Sequence, residues 1–294
     1  MNVRWLYSTV KDEECAATLL REKGLLHQER LCPSCCSDLM QLGRGGKVWR
    51  CHKRSCREEV SIRTGTWFEG RRGRLKLQNA VGLMFFWSRG YSSMKVCSDE
   101  LGINKSVTCR WNRCIREVAA EALAELPVQL GGPSQTVELD ETLFCRSKYG
   151  RGREYTRRQW VFGGTCRETG QSFVAPVENQ SSRTLMPIVK RHVRPGTTVI
   201  TDEWRGYRFL AREGDTHMRV NYSHSFVNRA TGAHTQSIES LWSHAKRGNK
   251  IRCGTHQTSL PLHLCEFMWR KRLASGDDPF EKLLQDIAKL YPPH

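Results

Sequence analysis

Apolar residues recur along this chain with a helical period in its first part and a strand period in much of its second. Residues 1–30 read as a short helical lead-in ending in LREKGLL, and LKLQNAVGLMFFWSRG (75–90) reads as a strongly apolar helix. The stretch 92–123 reads as two helices broken at Gly102. LPVQLGGPSQ (126–135), with two prolines and two glycines, reads as a linker. After it the period changes. TVELDETLFC, QWVFGGTC and SFVAPV are three β-rich runs, TTVITDEW is a fourth, and RVNYSHSF is a fifth. SSRTLMPIVKRHV is a helix with Leu185, Ile188 and Val189 on its inner face, and a helical tail runs from about 258 to 290. In HTQSIESLWSHAK, Ile238, Leu241, Trp242 and Ala245 form one stripe, while Glu239, Ser243, Lys246 and Lys250 share the opposite side. Strands followed by helices interleaved with strands predict an α/β domain with a mixed sheet.

Composition adds a partner class. The 294 residues suit two or three domains, and 47 Lys+Arg against 30 Asp+Glu leave a net charge of +17. An excess of that size points to a polyanion, nucleic acid being the usual one. No segment approaches the ~20 apolar residues that a membrane span requires, so no membrane partner is expected. The opening residues lack the apolar run and cleavage site of an export signal, so the 13 cysteines are read as thiols and metal ligands before disulfides.

Two elements of the first part carry candidate chemistry. Cys32, Cys35, Cys51 and Cys56 form a C-x2-C-x15-C-x4-C array in a loop-rich knuckle too short to build its own core. Four thiolates can surround one Zn²⁺ tetrahedrally, leaving no open position, so the expected role is structural. Cys36 and His52 are spare candidates. Beyond the knuckle, Met94–Leu101, Gly102 and Asn104–Val118 match a helix-turn-helix, with Asn104 or Ser106 as cap of the second helix. Lys105, Arg110, Arg113 and Arg116 would make that helix basic, as major-groove contact requires.

Three carboxylates raise a different question. Asp140 lies mid-strand among apolar residues, where an unpaired charge is costly. Asp202 ends a strand, where α/β sheets place their sites, and Glu239 lies on the polar side of a helix that must pack on that sheet. Brought together they would repel one another unless cations joined them. Two Mg²⁺ or Mn²⁺ ions, about 3.5–4 Å apart, would clamp the oxygens of an in-line phosphoryl displacement. Lys246, two turns beyond Glu239, could hold a phosphate beside them. Glu138, Glu141 and Glu203 are alternative ligands by position alone.

The order CPSC…WRC…C, RTGTWFEG, the helix pair, VELDET, KYGRGR, WVFGG, TLMPIV, TDEWRGY and AHTQSIESLWSHAK resembles the Merlin superfamily of DDE transposases over roughly residues 30–272. Related bacterial insertion-sequence transposases share the plan. The resemblance implies a zinc ribbon (31–70) after the lead-in (1–30), a helix-turn-helix domain (71–125), the linker (126–135), an RNase H-like catalytic domain (136–255) and a C-terminal helical tail (256–294). It implies Asp140, Asp202 and Glu239 as the metal-binding triad, holding two Mg²⁺ or Mn²⁺, with Lys246 as the associated basic residue. Gln236, where Asn is expected, and Val220-Asn221-Tyr222-Ser223, where VNHS is common, depart from the pattern without removing a carboxylate.

The implied reaction is cleavage at the ends of a DNA element to leave a 3′-OH, followed by attack of that hydroxyl on target DNA. The implied partners are terminal inverted repeats, target DNA and at least one further copy of the chain. The location follows the source: the nucleus in a eukaryote, the cytoplasm or nucleoid in a bacterium. Lys148, Arg151, Arg153, Arg157 and Arg158, with Tyr149 and Tyr155, suit a hairpin that tracks a phosphate backbone or stacks on an unpaired base. Two other readings compete: a domesticated binder that no longer cuts, and a nuclease acting alone on structured DNA.

Overall fold

The computed structural model describes residues 1–35, 39–144, 159–202, 205–207, 210, 216–220, 234–251 and 255–294. The chain opens with α1 (Val3–Thr9) and α2 (Glu13–Glu22), then the short strands β1 (Gln41–Gly43), β2 (Val48–Arg50) and β3 (Glu59–Ser61). Helices α3 (Leu77–Ser88), α4 (Met94–Leu101) and α5 (Lys105–Glu125) follow. Next come β4 (Thr136–Leu143), β5 (Trp160–Cys166), β6 (Ser172–Val177), α6 (Ser182–His192), β7 (Thr198–Asp202) and β8 (Thr216–Val220). Three helices end the chain: α7 (Gln236–Ile251), α8 (Leu260–Lys271) and α9 (Pro279–Leu290). No described helix is long and apolar enough to cross a membrane.

The contacts divide the chain into two units, Met1–Ala122 with Leu273–His294, and Leu123–Arg272. The first is built around α3, whose run from Ala80 to Ser88 is buried throughout. A helix apolar on every side needs neighbours on every side. On one side Phe280 of α9 meets Phe85 edge-on at 5.4 Å, and Leu283, Leu284 and Ile287 of α9 are also buried. On another, a Cβ on Gly82 would lie 2.8 Å from Leu101 of α4, so the missing side chain permits that helix to come close. The N-terminus of α3 has no local side-chain cap. Glu13 of α2 supplies one instead, accepting from the Leu77 and Gln78 amides at 2.9 and 3.1 Å while paired with Arg63 at 3.0 Å. One carboxylate thereby joins α2, the segment after β3 and α3.

The break expected at Gly102 is a left-handed residue (φ 60°) ending α4, a conformation glycine takes without strain. Asn104, rather than Ser106, accepts from the Val107 amide at 2.9 Å and caps α5.

The second unit is a mixed α/β fold on a five-stranded mixed sheet, ordered β6-β5-β4-β7-β8. The β4–β5 and β5–β6 pairs are antiparallel, and β4–β7 and β7–β8 are parallel. Side chains alternate across β4. Val137 and Leu139 face a core containing Leu185 and Val189 of α6, with Ile188 packed at its edge. On the other face, Phe144 and Val161 meet Ile238, Leu241, Trp242 and Ala245 of α7 and Leu260 and Leu264 of α8. The fifth strand begins earlier than its sequence pattern suggests. Thr216–Val220 pair residue for residue with Thr198–Asp202, so the parallel partner defines the start, and residues 221–226 lie outside the described set. Within 126–135, read as a linker, Leu130 is fully buried and its backbone bonds the His192 carbonyl and the Arg194 amide.

Candidate functional site

Helix α7 lies along β4, and the two are joined once per helical turn. Glu138 accepts from the Ile238 amide at 2.9 Å, and Asp140 accepts from Trp242 Nε1 at 2.9 Å. Lys246 Nζ donates to the Thr142 hydroxyl, and Asn249 donates to the Phe144 carbonyl at 3.4 Å. The periods match. Two strand residues advance about 6.7 Å, and four helical residues about 6 Å. Alternate positions of β4 therefore meet successive turns of α7.

This register decides where each acidic residue of the strand goes. Glu138 is fully buried, with Arg167 Nε at 2.6 Å on one oxygen and the Ile238 amide on the other. Glu141 points to the opposite face, where it accepts from the Tyr207 hydroxyl and from Gln180 Nε2 at 3.2 Å. Asp140 faces α7 and lies within electrostatic range of both Asp202 and Glu239. The β4–β7 register pairs Glu138 with Ile200, and two residues further on along each strand stand Asp140 and Asp202. Glu239 is exposed, with the Thr235 hydroxyl 3.5 Å from its carboxylate. Asp140 therefore has the charges of Asp202 and Glu239 within electrostatic range, although the three carboxylates are not a group whose oxygens all lie within 4.8 Å of one another. Lys246 is placed at Thr142 and Phe144. Glu203 lies outside the described residues.

The electrostatics follow first from burial. Burial, reinforced by the charges of Asp202 and Glu239, pushes Asp140 up to about 6 despite the opposing Trp242 hydrogen bond. Burial, with Asp140 and Asp202, pushes Glu141 up to about 7 against the Tyr207 bond. The Lys246 ammonium lies 5.8 Å from the centre of the Phe144 ring.

Trp242 and Gly163 are neighbours of Asp140 that hydrophobic patterning does not distinguish. Trp242 reads as one more stripe residue, yet its indole N–H orients Asp140. Gly163 stands opposite Asp140 in the β4–β5 register, and a Cβ there would lie 2.6 Å from the Trp242 ring. A glycine inside a strand often marks such a close approach, so the Gly163-Gly164 pair was the available signal.

The cysteine set is a separate centre in the first unit. The ligand atoms of Cys32, Cys35, Cys51 and Cys56 all lie within 4.8 Å of one another. Cys32 and Cys56 sulfurs are 3.5 Å apart, and Cys35 and Cys51 sulfurs 3.7 Å. A tetrahedron with Zn–S bonds of about 2.3 Å has edges of about 3.8 Å. The cluster could therefore hold a structural zinc. Although the Lys53 amide favours the Cys51 thiolate, burial and the other three sulfurs push it up to about 12, a clustering of thiols that a cation would relieve. His52 is exposed and outside the set, and Cys36 lies outside the described residues.

Of the four basic residues expected on the second helix of the pair, Lys105 and Arg113 are exposed and Arg110 and Arg116 half-buried. Arg113 pairs with Glu117 at 2.9 Å along α5. The expected loop residues Lys148, Arg151, Arg153, Arg157 and Arg158 lie outside the described residues.

Residues 129–271 match the family model described as the ISXO2-like transposase domain. Over 98 residues, 33% of this chain and 78% of the relative, the sequence is 33% identical to an uncharacterized transposase-like protein of Haemophilus influenzae. A chain of the cryoEM structure of a simian T-cell lymphotropic virus intasome with PP2A regulatory subunit B56 gamma is similar at 9% identity and a TM-score of 0.29. That match covers 62% of this chain and 66% of the other, just under two thirds of it.

Three outcomes follow from this geometry. Purified protein should carry one zinc per chain by atomic absorption, and Cys51→Ser should lose it and unfold β1–β3; a structural zinc is worth on the order of 10 kcal/mol. A Cys51→Ser protein with unchanged melting and metal content would refute the centre. Gly163→Ala should lower the unfolding free energy by about 1–3 kcal/mol through overpacking against Trp242, as read by urea denaturation.

The third concerns pH. With folded values of about 6 and about 7 for Asp140 and Glu141, the folded chain keeps protons that unfolded carboxyls release near pH 4. Protons bound preferentially by the folded state make stability fall as pH rises from about 4 to about 7. A divalent cation held by Asp140 would compete with those protons. Calorimetry should show Mg²⁺ raising the melting temperature more at pH 7 than at pH 5, and an equal rise at both would contradict the site.

Proposed function

This chain belongs to the ISXO2-like insertion-sequence transposases, and from that premise we propose that it cleaves and joins DNA at a divalent-metal site formed by Asp140, Asp202 and Glu239. The observation that carries this reading is the placement of Asp140: it lies on the α7 face of β4, held by Trp242, beside the β7 strand that ends in Asp202, with the charges of Asp202 and Glu239 in electrostatic range. A largely buried carboxylate with two further acidic charges in electrostatic range is costly by itself, and a cation would relieve that cost. Their donors are all oxygens, which suits Mg²⁺ or Mn²⁺. When bound, such ions supply Lewis-acid stabilisation to the attacking and leaving oxygens of a phosphoryl displacement.

The chain's own groups do the positioning. Trp242 donates to one Asp140 oxygen. Thr142 and the Phe144 ring hold Lys246 further along the same face of β4 as Asp140, from where its ammonium can meet a phosphate of the bound strand. The partial burial that raises Asp140 also removes competing solvent from that edge. A sheet of order β6-β5-β4-β7-β8, two hairpins followed by two parallel strands, supports an RNase H-like assignment for the second unit.

In this reading the reaction is hydrolysis at the element's end, leaving a 3′-OH, followed by transesterification that joins it to target DNA. The terminal repeats are held by the first unit, with α4, Gly102 and α5 acting as a helix-turn-helix and Lys105 and Arg113 facing phosphates. Arg113 can exchange Glu117 for a phosphate at little cost, because an exposed ion pair is worth about 0–1 kcal/mol. The net charge of +17 supports the same partner. Joining two ends calls for at least two copies of the chain.

The deciding experiment incubates purified protein with element-end DNA and Mg²⁺ and maps the cut on each strand, scoring joined products separately from nicks. Asp140→Asn, Asp202→Asn and Glu239→Gln should each abolish cutting while DNA affinity stays within about threefold, ~0.7 kcal/mol. A triad variant that still cuts supercoiled donor DNA would overturn the assignment. Nicking without joining would favour a stand-alone nuclease, and binding without cutting a domesticated binder.

A further inference from the structure

We propose that Glu138, locked by Arg167, is the positioning residue that sets Glu239 against Asp140, an inference that rests on reading those carboxylates as a divalent-cation site. Glu138 is fully buried, and both its oxygens are engaged: Arg167 Nε at 2.6 Å on one and the Ile238 amide at 2.9 Å on the other. Ile238 is the third residue of α7. Its amide is one of the four at a helix N-terminus that have no acceptor within the helix. A Ser or Thr just before the helix usually supplies that acceptor. Here the preceding residue, Thr235, directs its hydroxyl to the Glu239 carboxylate, and a strand carboxylate caps the helix in its place.

The consequence is geometric. Glu138 stands two residues before Asp140 on the same face of β4, and Ile238 is bonded directly to Glu239. Beside the Trp242–Asp140 bond, a second connection between Asp140 and Glu239 runs through one buried hydrogen bond, from Asp140 down the strand to Glu138, across to Ile238 and on to Glu239. Arg167 stiffens this path from a third element. Its backbone amide donates to the Thr136 carbonyl at the start of β4, and its guanidinium spans the Glu138 carboxylate and the His234 carbonyl just ahead of α7. His234 Nδ1 lies a further 3.6 Å from the same Glu138 oxygen. With both oxygens in use and its charge met by arginine, Glu138 is unsuited to ligate a cation itself. Its part is to fix where another ligand stands.

A purely structural carboxylate would cost stability when removed and leave cation affinity of the folded protein unchanged. The test therefore measures both in the full chain, using Mn²⁺ alone as the probe and following free Mn²⁺ by electron paramagnetic resonance. Glu138→Gln should weaken Mn²⁺ binding by about 10–100-fold, the usual effect of losing a group behind a metal ligand, while circular dichroism shows the native helix content. The double variant Glu138→Gln/Glu239→Gln should bind no more weakly than Glu239→Gln alone, because the first change acts through the second residue. Should Glu138→Gln fail to fold, Arg167→Lys, which keeps the charge but not the fork, should weaken Mn²⁺ binding in the same direction.

Native Mn²⁺ affinity in the folded Glu138 and Arg167 variants, alongside lost affinity in Asp140→Asn, would overturn the positioning role. Equal Mn²⁺ binding by the wild type and Asp140→Asn would overturn the carboxylate site itself, and this inference with it.

Discussion

A carboxylate buried between a sheet and a helix loses its hydration and must be given donors in return. Along β4 this constraint applies twice on one face, at Glu138 and at Asp140, and each is met from α7. A backbone amide serves Glu138, and an indole N–H serves Asp140. Those bonds, continued by Lys246 on Thr142 and Asn249 on Phe144, hold the helix parallel to the strand and in register with it. A slip of one helical residue would turn Trp242 away from Asp140 and carry Glu239 out of range of the other carboxylates. The position of the charged cluster therefore depends on the register of a helix against a strand, and that register depends on satisfying buried acids.

The same economy recurs in the first unit, where Glu13 caps α3 and pairs with Arg63. In both places an acidic residue distant in the chain caps a helix that lacks an adequate local cap, and an arginine neutralises it. This arrangement makes the helix terminus conditional on the tertiary fold. The cysteine cluster follows a related logic with a softer donor set. Four thiols crowded within hydrogen-bonding range favour a shared cation, and the three short strands around them contribute little apolar burial of their own.

Much of this was legible in the sequence. The helices on either side of Gly102 are visible because glycine accepts a left-handed conformation and asparagine caps well. The apolar stripe of α7 is visible because Ile238, Leu241, Trp242 and Ala245 repeat at the helical period, and all four are buried. Strand positions are visible where β-branched and aromatic residues alternate. The last strand is the exception in extent. Its first residues, Thr216–Met218, are polar or sulfur-bearing and are recruited by pairing with β7 rather than by their own pattern.

What the sequence determined by itself was the set of parts: helices and strands in order, a four-cysteine array, a basic balance, and acidic residues at positions where charge is out of place. Those properties depend on local propensity and on period, which a single segment carries. The tertiary structure decided the assignments among the acids. Glu138 and Asp140 look equivalent along the strand, two residues apart on one face, yet Arg167 and the end of α7 consume the first, while the second is bonded by Trp242 and feels the charges of Asp202 and Glu239. Gly163 matters for a reason no local pattern contains, the space that an indole from a distant helix requires. A carboxylate's role is set by the donors and charges around it, and those come from segments as much as a hundred residues away.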